Sequence, residues 1–314
     1  MDLFVSESAP IDSSLDCPTL SADTLKQLNT RSTAQGTLRL ALHLLILLSS
    51  GYLWSTNIGE HWPIALPALV IYGFSLAAMF APVHECSHRT VFANNTLNDA
   101  VGWIAGVLSF YNITFFRRYH KWHHRYTQDP DKDPEMSDPK LQTWGDYLLA
   151  MSGLPWWWGK LTTHFRVAMG QLDSYPFIPE TAREEVIRST RWQLGVYAIA
   201  IGISIIFGQP WFITYWLLPL FIGQPILRFI LLAEHTGCSG DRNPYTNTRS
   251  TLTLLPVRLL MWNMPFHAEH HLYPSIPFYQ LPIAHQQLKA HFSHVEPGYI
   301  HVNRAIVAGL NSAV

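Results

Sequence analysis

Hydrophobic and polar residues along this chain separate into long blocks rather than short alternations. Residues 38–54 run Leu-Arg-Leu-Ala-Leu-His-Leu-Leu-Ile-Leu-Leu-Ser-Ser-Gly-Tyr-Leu-Trp, enough helix to cross a bilayer core with little tilt. A polar turn through Asn57, Gly59 and Glu60 leads into a second apolar block, residues 62–82, with Trp62 placed as an interfacial anchor. Residues 192–208 and 211–233 are parted only by Gln209 and Pro210, so each pair of blocks is expected to form a membrane hairpin. Residues 97–116 are also apolar, but Asn98, Asp99, Gly102, Gly106 and Asn112 interrupt them, which fits an interfacial helix better than a crossing.

The roughly hundred residues from Arg89 to Arg191 exceed what a structureless loop spans in a compact protein, so they are expected to fold as a helical cap. The expected fold is an all-α membrane protein: four transmembrane helices in two hairpins beneath that cap. Residues 1–36 are polar and lack the charged-then-apolar pattern of a cleavable signal, so they read as a flexible tail. Residues 37–290 form the membrane domain and residues 291–314 a C-terminal tail.

Composition supports this division: apolar residues make up 48% of the chain and charged ones 14%, which suits lipid better than water. Lys and Arg total 21 against 22 Asp and Glu, so no charge excess points to nucleic acid. Neither tight turn carries Lys or Arg. By the positive-inside rule the opposite side, with both termini, is cytoplasmic. Cys17, Cys86 and Cys238 have no paired or metal-type spacing, as expected in a reducing compartment.

Histidine carries the chemistry. His267, His270 and His271 stand at relative positions zero, three and four, one face of a helix, where their side chains can converge on an ion. His120, His123 and His124 repeat the spacing, and His84 and His88 stand four apart. With 16 histidines in 314 residues, one such triplet is expected by chance on the order of a few hundredths of a time. Two triplets and a pair, all on the charged side of the membrane, indicate metal. His235, at the cytosolic end of the fourth block, is either a further ligand or a helix-terminal histidine favoured by the dipole. Imidazole suits iron, zinc and copper alike, but so many nitrogens exceed the needs of one tetrahedral zinc, and two metals are the natural count. Glu85, Glu234 and Glu269, each beside one of these histidines, either orient imidazole N–H groups or pair with arginines. His43, His61, His164, His285, His291, His294 and His301 stand outside any box and read as packing or surface residues.

His-Glu-Cys-Ser-His, His-Lys-Trp-His-His and His-Ala-Glu-His-His, in this order and divided by these hairpins, resemble the integral-membrane fatty acid desaturase and hydroxylase superfamily. The resemblance covers roughly residues 38–289. It implies two irons held by His84, His88, His120, His123, His124, His235, His267, His270 and His271, with no catalytic residue beyond these ligands. It also implies O2 as oxidant, a lipid or fatty acyl substrate, and electrons expected from a separate ferredoxin, rubredoxin or cytochrome, since no such segment is recognisable in this sequence. Some acyl-CoA members carry an asparagine one helical turn before the extra histidine, to hold a metal-bound water; this chain has Leu231 there.

Desaturation leads the reading, with hydroxylation, ketone formation and decarboxylation to a terminal alkene as alternatives within the superfamily. A rival from another class is a membrane zinc metalloprotease, because His84-Glu85-Cys86-Ser87-His88 also fits that pattern, with Glu85 as general base. It would leave both triplets without a role.

Overall fold

A computed structural model describes residues 19–137 and 141–310. Its centre is the helix Trp62–Ala77, which carries on through a short break into Phe80–Ser87. Thr33–Asn57 packs along one side of it and Leu218–His235 along another. The approach is close because small residues line it. A β-carbon on Gly223 would collide with the carbonyl of Gly73, and one on Gly73 would collide with the carbonyl of Pro219. Small residues at such crossings let backbones come together where lipid gives no hydrophobic drive. Trp54, nearly fully buried, closes the far end by donating its indole N–H to the Thr214 carbonyl at 3.0 Å.

Among the described residues three helices are long and apolar enough to cross a membrane: Thr33–Asn57, Trp62–Ser87 and Ile213–His235. The first hairpin matches expectation, but the third expected span, residues 192–208, is not among these three. Residues 192–206 form the apolar half of the 27-residue helix Glu180–Ile206. Its other half carries Glu180, Arg183, Glu184, Glu185, Arg188 and Arg191, leaving only about 22 Å of apolar length at 1.5 Å per residue. A fourth crossing is reached only if Asn95–Ser109 and Ile113–Tyr126 count together, and these meet at 97°. The bend has local causes. Phe110 adopts a left-handed conformation with φ 63°, and the Asn112 side chain then accepts from the Phe115 N–H to start the next helix.

Both stretches read as tails are in part built into the fold. Within residues 1–36, positions 1–18, Cys17 included, lie outside the described residues, but Ala22–Leu28 is a helix with Leu20 and Leu28 buried. Tyr279 Oη accepts from the Ser32 N–H at 2.5 Å. At the other end, Tyr299–Ala308 is a helix. Its Asn303 donates to the Phe229 carbonyl at 3.0 Å and accepts from Tyr147 Oη at 3.0 Å. A short parallel pairing, Ser250–Thr251 with Val295–Glu296, is the exception to an otherwise helical chain among the described residues.

Gly223→Ala is expected to destabilise the detergent-solubilised protein by about 1–3 kcal/mol, because backbone cannot yield as a side-chain tip can. Thermal melting checks this; an unchanged midpoint would mean the two helices do not cross as closely as described.

Candidate metal centre

Four elements deliver the histidines. His84 lies in the last turn of Phe80–Ser87 and His88 caps it; His120, His123 and His124 follow one face of Ile113–Tyr126. His235 ends Leu218–His235, and His267, His270 and His271 occupy the short helix His267–Leu272. Local contacts fix the register of these pieces. Arg117 donates to the Ser87 and Cys86 carbonyls and pairs with Asp99, which Arg89 also holds, so the end of the first box is tied to the helix of the second. Arg249 donates to the Ala233 and Thr236 carbonyls, and Gln128 to the carbonyl of His235 at 2.9 Å, fixing the end of the last span.

The imidazoles gather in two groups. In one, His84, His88, His120, His124 and His270 each place a nitrogen within 4.8 Å of all the others; His123, His235 and His271 do the same in the other. His267, outside both by that measure, has Nε2 3.1 Å from His235 Nε2 and so borders the second group. Of the carboxylates expected beside ligands, Glu85 accepts from His84 Nδ1 at 3.0 Å. Glu234 places Oε2 3.5 Å from His267 Nε2, while its Oε1 is buried without a hydrogen-bond partner. Glu269 departs from expectation: it is turned towards Ser250 and His285 and touches none of the nine imidazoles.

Sequence reasoning missed several partners. His123 Nδ1 meets Asp133 at 2.8 Å, His235 Nδ1 meets the Asn247 carbonyl at 3.2 Å, and His271 Nδ1 lies 3.3 Å from Thr127 Oγ1. Asp133 stands in the acidic run 129–139, which reads from sequence as a surface loop but tucks this side chain under the second box; positions 138–139 lie outside the described residues. A carboxylate within ten residues of a histidine box was the available signal. His285, read as packing or surface, is buried and paired with Glu269. His43 and His164 do pack as expected: His43 bridges the Ser75 carbonyl and the Trp262 indole, and His164 stacks on Phe110.

The contacts inside the groups test whether they fit metal. His124 Nε2 lies 3.0 Å from His120 Nε2 and 3.1 Å from His270 Nε2, and His123 Nε2 lies 3.2 Å from His235 Nε2. A neutral imidazole has one N–H and one lone pair, so nitrogens packed this way cannot all satisfy one another. Two nitrogens at right angles about a metal roughly 2.1 Å away would stand about 3.0 Å apart. His84 Nε2, His88 Nε2 and His271 Nε2 are buried without any hydrogen-bond partner. Lone pairs convergent, unpartnered and dry are what a cation satisfies. The same arrangement disfavours a zinc-protease reading, since Glu85 is held by His84 and Thr90 rather than free to act as a base.

A family model described as fatty acid desaturase matches residues 60–303. The chain belongs to that family. Curated relatives carry the same kind of name. An sn-1 oleoyl-lipid 12-desaturase of Picosynechococcus sp. is 25% identical over 73% of this chain and 70% of its own. A fatty acid desaturase of Bacillus subtilis is 25% identical over 71% and 68%, and a dihydrorhizobitoxine desaturase of Bradyrhizobium elkanii is 26% identical over 75% and 69%. Family membership makes this protein an oxidoreductase associated with membranes and lipid substrates, and its histidine clusters are consistent with a dimetal site. Leu231 packs against the core, as a side chain with no hydrogen-bonding group would.

Burial first, and neighbouring imidazoles after it, hold His267, His270 and His271 well below the ordinary histidine range. The unfolded chain takes these protons near pH 6.5 while the folded one resists them. The folded state therefore binds fewer protons, and stability is lost as pH falls below about 6.5. The metal-free protein is expected to melt at progressively lower temperature from pH 6.5 to 5, with little change from these residues above pH 7. A midpoint flat to pH 5 would mean the three rings are open to water.

Proposed function

We propose that this protein is a diiron enzyme that uses O2 and electrons from a separate carrier to desaturate a fatty acyl or related lipid chain. The carrying observation is the pair of imidazole groups with unpartnered or mutually crowded nitrogens. His84, His88, His120, His124 and His270 are assigned to one iron. His123, His235, His267 and His271 are assigned to the other, with the Glu234 carboxylate beside it. When bound, the two irons supply oxygen activation strong enough to oxidise an unactivated methylene, which side-chain acid–base groups cannot do.

The chain's own part is to fix the ligands and keep the site dry. Glu85, Asp133 and the Asn247 carbonyl each accept from the Nδ1 of a box or neighbouring histidine, which settles the tautomer and turns the Nε2 lone pair inward. Glu269, gripped by Ser250 and His285, anchors the helix of the third box: Ser250 also accepts from the Ala268 N–H at 3.1 Å. The absence of Lys and Arg from the sequence's two tight turns supports a cytosolic placement of the site, where a ferredoxin, rubredoxin or cytochrome could reach it. Whether the oxidised chain leaves as alkene, alcohol, ketone or decarboxylated product turns on which C–H bond faces the metals.

Purified protein is expected to hold about two irons per chain and to convert lipid in a host membrane. His270→Ala is expected to lower iron content to about one or less and to abolish turnover while the protein remains membrane-inserted. Elemental analysis beside product mass spectrometry reads both; full iron and activity in His270→Ala would overturn the assignment.

A further inference from the structure

Arg228 is the lone Lys or Arg in the span Ile213–His235, and a charge in that setting needs a partner. No described carboxylate lies within salt-bridge distance of it, whereas Arg89, Arg117 and Arg118 each have such a partner; the charge acting with it is Glu234 on the same helix. Its Nη2 donates to Tyr111 Oη at 3.1 Å, and Trp156 Nε1 donates to the same oxygen at 3.0 Å. The Lys160 ammonium sits 3.7 Å from the centre of the Tyr111 ring. One guanidinium and one indole N–H thus converge on the hydroxyl, a second cation lies over the ring, and the hydroxyl's own proton meets no acceptor among the described residues.

Unsatisfied groups continue around this point. Arg228 Nε and Trp157 Nε1 are buried without a partner. So are both amide atoms of Gln224, a fully buried side chain one turn before Arg228 on the same helix face. Arg228 Nε, Trp157 Nε1 and Gln224 Nε2 are donors without an acceptor, and Gln224 Oε1 is an acceptor left without a donor beside them. The place is also close to the histidines. Phe80 lies 4.6 Å from the Tyr111 ring and 6.1 Å from that of His84; Phe116 lies 5.6 Å from Tyr111 and 5.1 Å from His120. One layer of aromatic rings separates the two sites, and about 10 Å of helix runs from Arg228 to His235.

The structure assigns to Tyr111, Lys160 and Arg228 a binding subsite for the carboxylate head of a free fatty acid, with the carbons nearest that head directed towards the histidine groups. It rests on the reading of those groups as the oxidation site. A carboxylate matches the guanidinium fork and accepts from tyrosine and lysine together. It is also a chain end, as a buried place requires. A phosphodiester continues on its far side into glycerol or nucleotide, and Tyr111, only 5% exposed, leaves little way out for either.

Equilibrium binding to the iron-loaded full chain, without reductant so that nothing turns over, tests this through the fluorescence of Trp156 and Trp157. The probes are a long-chain fatty acid, its methyl ester and a phospholipid of the same chain. Wild type is expected to bind the acid at least about tenfold more tightly than the ester. Arg228→Gln is expected to weaken the acid about 10- to 100-fold and leave the ester unchanged, the range typical of charged hydrogen bonds. If Arg228→Gln loses its iron or fails to fold, Tyr111→Phe decides, with the acid preference expected to shrink several-fold at unchanged iron content. Equal binding of acid and ester, tighter binding of the phospholipid, or an acid preference that survives both substitutions would overturn the subsite. Iron content is read on the same samples: wild type without a pair of irons refutes the diiron reading, whereas a pair of irons without acid preference refutes only the subsite.

Discussion

Imidazole nitrogens crowded together in a dry space are the constraint on which this structure turns. Seven of the nine rings carry a buried nitrogen with no hydrogen-bond partner, and the Nε2 contacts within each group are near 3 Å. Nitrogens facing one another this way repel unless a proton or cation lies between them, and burial resists the proton. A bound metal would resolve the conflict, and would account for four separate elements meeting at one point instead of packing with greasier residues.

The scaffold answers that demand in two layers. Close backbone approach at Gly73 and Gly223 brings the spans carrying His84 and His235 alongside one another. A 97° bend after Phe110 then turns the second box across the end of the bundle. Around the rings, Glu85, Asp133, Asn247 and Thr127 meet the outer nitrogens, while Arg117, Arg249 and Gln128 hold the backbone that carries them. Each contact is modest; together they leave the rings few other orientations.

Polar groups on the membrane side follow a different logic. The histidine side is rich in acceptors that a cation can use, whereas the cluster at Tyr111, Lys160 and Arg228 is rich in donors that an anion can use. Phe80 and Phe116 stand between them as the apolar wall a hydrocarbon would pass. Opposite electrostatic demands about two helical turns apart suit a substrate that is charged at one end and oxidised a short way along its chain.

The eight box histidines were legible in the sequence because spacings of three and four are a property of one helix turn, whatever that helix later meets, whereas His235, with no such spacing, stood open between a ligand and a helix-end residue. The first hairpin was legible for a like reason, since its apolar blocks are long and uninterrupted. What local pattern could not carry was partnership across the chain. Glu269 sits between two box histidines in sequence, yet it points away from them to Ser250 and His285, 19 and 16 residues distant. Asp133 looked like loop and serves His123. The apolar block 192–208 falls in and just after the longer helix Glu180–Ile206, whose charged first half its local pattern did not announce. Arg228 and Lys160 lie 68 positions apart and share a tyrosine only after folding. Spacing along a helix decides which residues face together; only the packing of separate helices decides what they face.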